Sequence, residues 1–371
     1  MKVVFACGGT GGHINPALAV AGTILQHHPD AKISFIGNEN GMESRLVPAA
    51  GYDFYPIHVA GFQRKLNLKN VGRNISAAAK AVTSGFEAAK ILKKLNPDLV
   101  VGMGGYVSGP VLRKAHQMGF KTATHEQNAF PGVTTKMLVN KMDLVMLAMP
   151  AAVKHLPQRH YVITGNPVRP AILSVTKEEA REKLGLKKDA PFILSFGGSL
   201  GAKCVNQAVA QVMAWHWNKG FLYHYHATGK GDSSWMPDYV RSLGVDLARS
   251  PMIRMTEYID DMDLCMAAAD LVISRAGAIT LSEIEAQGKA AILIPSPYVA
   301  ENHQYHNAMT LVNRGAAVVI EEKDMKDNTL PDKVRELLGN QETLETMGKA
   351  AKDGAYIDAN ERIYRALMKL L

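Results

Sequence analysis

A chain of 371 residues is too long for one ordinary domain, and at about 150 residues per domain we expect two or three. Lysine and arginine number 42 against 34 aspartates and glutamates, a formal charge of +8 that suits nucleic acid, anionic lipid or phosphorylated substrates without choosing among them. Three widely separated cysteines disfavour a disulfide framework and favour a reducing cytoplasm. No run of about 18 apolar residues occurs, so we expect any membrane role to be peripheral.

The first half of the chain alternates short apolar runs with helical periodicity. Strands are predicted at 2–6, 32–36, 54–59, 99–101, 121–124, 144–147 and 160–163, and helices at 13–27, 43–50, 74–95 and 108–118, with a short one through 137. This order is typical of βαβ units and a parallel sheet. Two prolines and a glycine within 165–170 predict the linker to a second domain.

The same pattern restarts after a charged helix at 177–184. Strands are predicted at 192–196, 222–226, 253–255, 271–273, 291–294 and 317–320, and helices at 206–215 and 279–287. Each half therefore predicts a doubly wound α/β domain that opens with a strand and a glycine loop. Residues 356–371 predict an amphipathic helix that either covers the second half or returns to the first.

Three glycine-rich loops, at 8–12, 102–105 and 197–201, follow predicted strands. Glycine lets backbone N–H groups approach a ligand, and a following helix contributes its positive end. The first loop has neither the dinucleotide-binding spacing nor a Walker A ending. Because ligands of doubly wound sheets bind at the carboxyl ends of strands, a diphosphate between two facing sheets is the simplest interpretation.

Polar residues at the same ends are the catalytic candidates. His13, at the start of the first helix, is a general-base candidate, although a histidine there also caps or packs. The four residues of 125–128, HEQN, are all polar and follow a strand, which favours a functional role.

Residues 274–295 combine a strand end, a glycine turn, a helix and the next strand. Thr280, Ser282 and Glu283 lie near the helix start, where an anion is favoured and a glutamate can accept hydrogen bonds from ligand hydroxyls. An anion beside a diol is what a nucleotide sugar presents. The alternative is that Glu283 only complements the helix dipole and Ser282 only caps.

Two patterns raise the question of metal binding. Residues 260–263 contain a DxD sequence, for which we favour N-capping of the following helix over a metal site. His224 and His226 share one face of a strand without an apparent third ligand, so we interpret them as structural.

Residues 62–73 interleave basic and apolar side chains. Such a segment can lie in an anionic membrane interface; the alternative is an ordinary solvated loop. The side chains that would make this contact are Phe62, Arg64, Lys65, Leu66 and Lys69.

Taken together, GGTGGHINP, GMGGYVSGP, HEQN, GNPVR, GGSLGA, SRAGAITLSE and ENHQ, in this order, resemble the MurG family of bacterial glycosyltransferases. These enzymes add N-acetylglucosamine to undecaprenyl-diphosphate-linked muramyl-pentapeptide, lipid I, to give lipid II in peptidoglycan synthesis. The resemblance implies a GT-B fold, two Rossmann-like doubly wound parallel-sheet domains facing a central cleft. We expect an acceptor and membrane-facing domain at 1–164, with helix 356–371 packed on it, and a donor domain at 165–355.

The resemblance also assigns residues. UDP-N-acetylglucosamine would contact Thr10, Gly11, Gly12, Asn128, Arg169, Ser199, Ile259, Ala278, Ile279, Thr280, Leu281, Ser282, Glu283 and Gln304. Among these, Arg169 and Ser199 would bind the diphosphate region and Glu283 the ribose hydroxyls. The acceptor would contact Gly104, Gly105, Tyr106 and His125. This sequence has Ile279 where leucine is frequent in the family, a conservative change, and His303 where another glutamine can occur, so no donor contact is assigned to His303.

The implied reaction is a direct displacement with inversion, in which helix N-termini, Ser199 and Arg169 stabilise the UDP leaving group in place of a required metal. We expect the general base to be His13, with Glu126 as the second choice. No cofactor and no nucleic acid are expected. The implied partners are the donor, lipid I, other cell-wall synthesis proteins and the cytoplasmic face of the membrane.

Three rival functions remain at this point. An epimerase acting on the UDP-sugar alone shares the two-domain layout. A sugar transferase acting on diacylglycerol shares the donor site, and a noncatalytic sensor shares the binding pattern. Release of UDP with and without a lipid I analogue separates them.

Overall fold

The computed structural model describes residues 1–59 and 83–371. Within them the chain divides into two compact units. Unit 1 comprises Met1–Pro167 and Asp358–Leu371, and unit 2 comprises Val168–Ile357.

Unit 1 contains a seven-stranded sheet, all of whose neighbouring strands pair in parallel. The strands are β1 (Lys2–Ala6), β2 (Lys32–Asn38), β3 (Asp53–Ile57), β4 (Leu99–Gly102), β5 (Lys121–Glu126), β6 (Leu144–Leu147) and β7 (Val162–Ile163). Their order across the sheet is β3-β2-β1-β4-β5-β6-β7. The helices are α1 (Gly11–His27), α2 (Glu43–Ala49), α3 (described over 83–95), α4 (Ser108–Gln117) and α5 (Val133–Leu138), with a 3-10 helix at Pro150–His155.

Both faces of this sheet are covered by helices. Along β1, Val3 and Phe5 pack into a core that includes α1, while Val4 and Ala6 pack into the core on the opposite face. Successive side chains of a strand point to opposite faces, so an almost wholly apolar strand produces two cores. The prediction of a doubly wound parallel sheet is confirmed here.

Unit 2 repeats the arrangement with six parallel strands. They are β8 (Phe192–Phe196), β9 (Tyr223–Ala227), β10 (Ile253–Thr256), β11 (Leu271–Ser274), β12 (Ala290–Leu293) and β13 (Ala317–Val319), in the order β10-β9-β8-β11-β12-β13. The helices are α6 (Pro170–Leu173), α7 (Lys177–Lys183), α8 (Lys203–His216), α9 (Met236–Ser242), α10 (Met262–Ala268), α11 (Ala278–Ala286), α12 (His303–Val312), α13 (Thr329–Leu338) and α14 (Gln341–Asp353). The second predicted parallel sheet is also confirmed.

The final helix, α15 (Ala359–Met368), belongs to unit 1. Ile363 and Leu367 are fully buried in the same core as Val3 and Phe5. The Tyr364 ring stacks on the His27 ring of α1 with centroids 4.2 Å apart. Of the two alternatives for this segment, the structure has the return to the first half.

Among the described residues, no helix combines the length and apolar character needed to cross a membrane.

Candidate active site

Strand order places the predicted loops at the topological switch point of each sheet. In unit 1 the order reverses at β1, whose neighbours are β2 and β4, and in unit 2 it reverses at β8, between β9 and β11. Ligands of doubly wound sheets bind outside the carboxyl ends of the strands at such points. The first two glycine loops follow β1 and β4, and the third follows β8, so all three occupy these positions.

The first glycine loop connects β1 to α1. Thr10 and Gly12 are exposed at the start of the helix, and Thr10 is its N-cap residue without a side-chain capping bond. His13 is half-buried, and its ring lies against the second glycine loop, because a Cβ added to Gly104 would be 2.5 Å from His13 Nδ1. The structure thus brings His13 to the loop that was assigned to the acceptor.

The second loop also touches the first directly. A Cβ on Gly105 would lie 2.2 Å from the Gly8 carbonyl oxygen, and one on Gly9 would lie 3.0 Å from the Tyr106 ring. The Tyr106 hydroxyl accepts a hydrogen bond from Asn38 Nδ2 at 3.0 Å, at the end of β2. The Gly105 backbone and the Tyr106 ring therefore pack closely on the first glycine loop, and side chains at positions 9 and 105 would prevent these contacts.

Glu126 organises the loop that follows β5. Its Oε1 accepts from Asn128 N at 3.0 Å and Asn128 Nδ2 at 3.1 Å, and its Oε2 accepts from Gly132 N at 3.0 Å and Thr135 Oγ1 at 2.5 Å. The side chain is also buried. Four bonds occupy the lone-pair sites of a carboxylate, so this arrangement suits a structural role better than proton abstraction. The second choice of base is weakened accordingly.

His125 lies wholly in the interior of unit 1. Its Nε2 is 3.0 Å from the Gly165 carbonyl oxygen and 3.1 Å from Thr164 Oγ1. Burial lowers the pKa of His125 to about 4, so the ring is neutral near pH 7 and can donate to the Gly165 carbonyl. His125 was predicted to contact the acceptor substrate, but these bonds instead connect the end of β5 to residues 164–165.

In unit 2, the loops after β8 and β11 carry the donor-site candidates. Ser199 is exposed in the glycine loop after β8. Gly277 is the N-cap of α11, and Ser282 Oγ donates to the Ala278 carbonyl oxygen one turn back, at 3.2 Å. Ser282 therefore does not cap the helix, and the alternative interpretation of that residue is wrong.

Glu283 is buried and pairs with Arg169, whose Nε donates to Glu283 Oε1 at 2.8 Å. Burial raises the pKa of Glu283, and the neighbouring Arg169 guanidinium opposes that shift. Two residues predicted to bind different parts of one nucleotide sugar are thus brought together, although they are 114 positions apart in sequence.

The remaining donor-site candidates of unit 2 are Ile259, the first four residues of α11 and Gln304. Ile259 and Leu281 are buried in the core, so only their backbone groups remain for a ligand. Ala278, Ile279 and Thr280 form the first turn of α11. Gln304, at the start of α12, accepts a hydrogen bond from Ser296 N at 2.8 Å through its Oε1.

The DxD segment, residues 261–263, does not cap α10 through the side chain of Asp261. Asp261 occupies the N-cap position, but its Oδ2 accepts from Arg254 at 2.9 Å and no helix N–H bonds to it. Asp261 is therefore at the predicted N-cap position, but its side chain does not make the predicted capping hydrogen bond.

His224 and His226 both hydrogen-bond to Ser195 in the interior of unit 2. In the described ranges, no cluster of three or more His, Cys, Asp or Glu side chains is arranged to hold a metal.

One residue of this region, Glu43 at the start of α2, was not predicted from the sequence. It is fully buried and accepts hydrogen bonds from Gly9 N and Asn38 N at 3.2 and 3.0 Å. The glycines at 8, 37 and 41, which make room for its side chain, were the only signal for it in the sequence.

The predicted membrane segment 62–73 lies outside the described residues.

Comparison with known proteins identifies the class. Residues 3–147 match the glycosyltransferase family 28 N-terminal domain and residues 192–363 match the glycosyltransferase family 28 C-terminal domain. A crystal structure of MurG from Acinetobacter baumannii has a TM-score of 0.79 and 29% identity over 99% of each chain. The two parallel-sheet units are those of the GT-B fold.

Full-length relatives are more similar in sequence. A protein of Acetivibrio thermocellus is 44% identical over 100% of this chain and 98% of its own length, and one of Bacillus cytotoxicus is 38% identical over 100% of both. Both are named UDP-N-acetylglucosamine--N-acetylmuramyl-(pentapeptide) pyrophosphoryl-undecaprenol N-acetylglucosamine transferase. The chain belongs to glycosyltransferase family 28 and, within it, to the MurG family.

A UDP-GlcNAc 2-epimerase of Neisseria meningitidis, solved with UDP-GlcNAc, also has this fold, with a TM-score of 0.65 over 100% of both chains. Its identity is only 13%, so this likeness concerns the fold alone.

Proposed function

We propose that this chain transfers N-acetylglucosamine from UDP-N-acetylglucosamine to lipid I, giving lipid II for peptidoglycan synthesis. The observation that carries the proposal is identity of 38–44% over nearly the whole chain with enzymes named for this transfer. The epimerase and the other rivals have no comparable support, since the epimerase neighbour shares the fold at 13% identity.

We assign the donor to unit 2 and the acceptor to unit 1. The start of α11 offers backbone N–H groups to an anion, and Ser199 is exposed in a glycine loop at the same edge of the sheet. Glu283 provides a buried carboxylate for a diol, with Arg169 as a neighbouring cation. These groups supply what a nucleoside diphosphate sugar needs for recognition.

The reaction is a direct displacement. The 4-hydroxyl of the muramyl group attacks the anomeric carbon, the bond from that carbon to the β-phosphate oxygen breaks, and UDP leaves with the electron pair. His13 takes the hydroxyl proton, because its half-buried ring adjoins the second glycine loop, whereas Glu126 is saturated with hydrogen bonds. Arg169 and the α11 N-terminus stabilise the charge on the leaving diphosphate.

The decisive assay measures UDP release. The protein is incubated with UDP-N-acetylglucosamine and a lipid I analogue together, and then with each alone. We expect release only from the complete mixture, with an N-acetylglucosaminyl lipid as the second product. Conversion of the donor without acceptor would indicate an epimerase or hydrolase, and binding without release would indicate a sensor.

We place the protein peripherally on the cytoplasmic face of the membrane, since the proposed acceptor carries a lipid chain and the protein has a formal charge of +8. Among the described residues, the exposed large apolar side chains of unit 1 include Phe86, Val133 and Met137. Substituting Arg64, Lys65 and Lys69 together should weaken binding to anionic vesicles at low salt. Unchanged binding would exclude residues 62–73 as the anchor.

A further inference from the structure

Glu43 makes an unusual set of contacts for a buried carboxylate. Its side chain reaches out of α2 and accepts from Gly9 N in the loop after β1 and from Asn38 N at the end of β2. None of the ion pairs found among the described residues involves Glu43. A buried charge costs free energy unless it is paired or hydrogen-bonded, so the two backbone N–H groups are its compensation.

The surrounding chain is shaped to admit this side chain. A Cβ at Gly8, Gly37 or Gly41 would lie 2.1, 2.5 or 2.3 Å from an atom of Glu43. Any larger residue at these positions would displace the carboxylate. A glutamate that merely complemented the dipole of its own helix would need no such space in two neighbouring loops.

Further contacts connect the third loop of the region. Asn38, whose N–H bonds to Glu43, donates through its side chain to the Tyr106 hydroxyl, and the Tyr106 ring lies on Gly9. Gly105 lies against the Gly8 carbonyl. The Glu43 carboxylate therefore connects the loops after β1 and β2, and Tyr106 and Gly105 connect the loop after β4 to them. The segment Thr10–His13 continues directly from Gly9.

We infer that Glu43 is a positioning residue for the transfer reaction, fixing the Gly9 peptide and thereby the Thr10–His13 segment that carries the base. The inference rests on the proposed function and adds a residue to it. Glu43 itself touches no reacting group. Its carboxylate matters because two N–H donors converge on it, and each carboxylate oxygen accepts from one of them.

The variant Glu43→Gln tests this role. The amide keeps the shape but offers one acceptor and one NH2 group, so one of the two N–H groups loses its partner. We expect kcat to fall at least about tenfold while the KM for UDP-N-acetylglucosamine stays within about threefold, since the loss concerns the placement of the base more than donor binding. Hydrogen exchange of the peptide covering residues 8–13 should also become faster.

Asp143→Asn is the matched control. Asp143 is also in unit 1, and its carboxylate accepts from a backbone N–H, Thr122 N at 2.8 Å, at the amino end of β5. Removing this charge should leave kcat and the exchange of residues 8–13 unchanged. A kcat loss in the control equal to that of Glu43→Gln would overturn the inference, as would a Glu43→Gln enzyme with wild-type kcat.

Glu43→Asp covers the case in which the glutamine variant does not fold. Aspartate keeps both acceptor oxygens on a side chain shorter by one methylene, so kcat should be reduced while the exchange rate of residues 8–13 rises. Wild-type exchange and kcat in this variant would contradict the positioning role. If the wild-type protein releases no UDP with lipid I, the proposed function fails, whereas the exchange comparison still tests Glu43.

Discussion

Arg169 and Glu283 form an ion pair within unit 2, with Arg169 Nε 2.8 Å from Glu283 Oε1. Glu283 is buried while Arg169 is partly exposed, so the pair joins the interior of α11 to the surface. A carboxylate has about four lone-pair sites, and one bond from Arg169 leaves others for a ribose diol. We therefore expect the pair to persist when donor binds and to hold Glu283 in its charged form.

Glu283→Gln should weaken donor binding. Losing a charged acceptor for two hydroxyls costs about 1.5–3 kcal/mol, which corresponds to a rise of roughly ten- to a hundredfold in the KM for UDP-N-acetylglucosamine. The control is Glu285→Gln, two residues later in the same helix, which is similarly buried and pairs with Arg314. Steady-state kinetics of both variants should show the KM effect only at 283. Equal effects would indicate damage to the helix.

Arg169→Ala should change the pH dependence of donor binding. Burial raises the pKa of Glu283 and Arg169 opposes this, so removing Arg169 should raise the pKa further. Protonated Glu283 is a poorer acceptor, and affinity lost as pH falls should therefore be lost at higher pH in the variant. Titrations of UDP binding between about pH 4.5 and 8 compare the midpoints. Arg314→Ala, which unpairs Glu285, should leave the midpoint unchanged.

The order of strands and helices followed from apolar runs and glycines, because a strand covered on both faces, such as β1, is apolar at every buried position. Contacts distant in sequence could not be predicted in this way. The environment of Glu43 comes from the loops after β1 and β2, and the saturation of Glu126 depends on the path of residues 128–135. Local pattern also left open which half the last helix covers.

The hydrogen-bond partners of side chains could likewise not be predicted from the local sequence. Asp261 stands at a helix start, where capping is the usual local choice, but Arg254 in β10 competes for its carboxylate. The helices α13 and α14 were not predicted, although both bury apolar residues at helical spacing. For Asp261, tertiary packing decided among the partners that the local sequence permitted, whereas the two helices carried a local pattern that was missed.

Gly105→Ala should impair catalysis through the loop contact. Gly105 has φ +79°, and its Cβ would lie 2.2 Å from the Gly8 carbonyl oxygen. Gly119→Ala is the control, since Gly119 has φ +80° and nothing within 4 Å. Both substitutions should lower the free energy of unfolding by about 1–2 kcal/mol through backbone strain. Only Gly105→Ala should also lower kcat, and equal kcat in the two variants would exclude a functional contact between the loops.

His13→Ala and Glu126→Gln should separate base from scaffold. Loss of a general base reduces turnover by about 10²–10⁴, so His13→Ala should lower kcat strongly while UDP affinity, measured by titration, changes little. Glu126→Gln should mainly lower the melting temperature, because Gly132 N or Thr135 Oγ1 then loses an acceptor. Equal losses of turnover and UDP affinity in His13→Ala would count against the base role.

Unit 2 should be unusually sensitive to acid because of a buried histidine chain. His216 bonds to His224, His224 and His226 bond to Ser195, and His226 Nε2 bonds to Asn206 Oδ1. Burial lowers the pKa of His216 and of His226 to about 4 and that of His224 well below its ordinary value. Lys219 adds to the shift at His216.

The direction in which the free energy of unfolding changes with pH follows from proton linkage. The unfolded chain binds protons on these histidines below about pH 6.5, whereas the folded chain keeps them neutral, so stability is complete above pH 6.5 and falls as pH decreases toward 4. Three histidines give a loss of about 4 kcal/mol per pH unit between pH 6 and 5. Urea unfolding followed by tryptophan fluorescence reports on unit 2, since Trp215, Trp217 and Trp235 all lie there. A free energy of unfolding that stays constant from pH 7 to 5 would show that the histidine chain is protonated without loss of the fold.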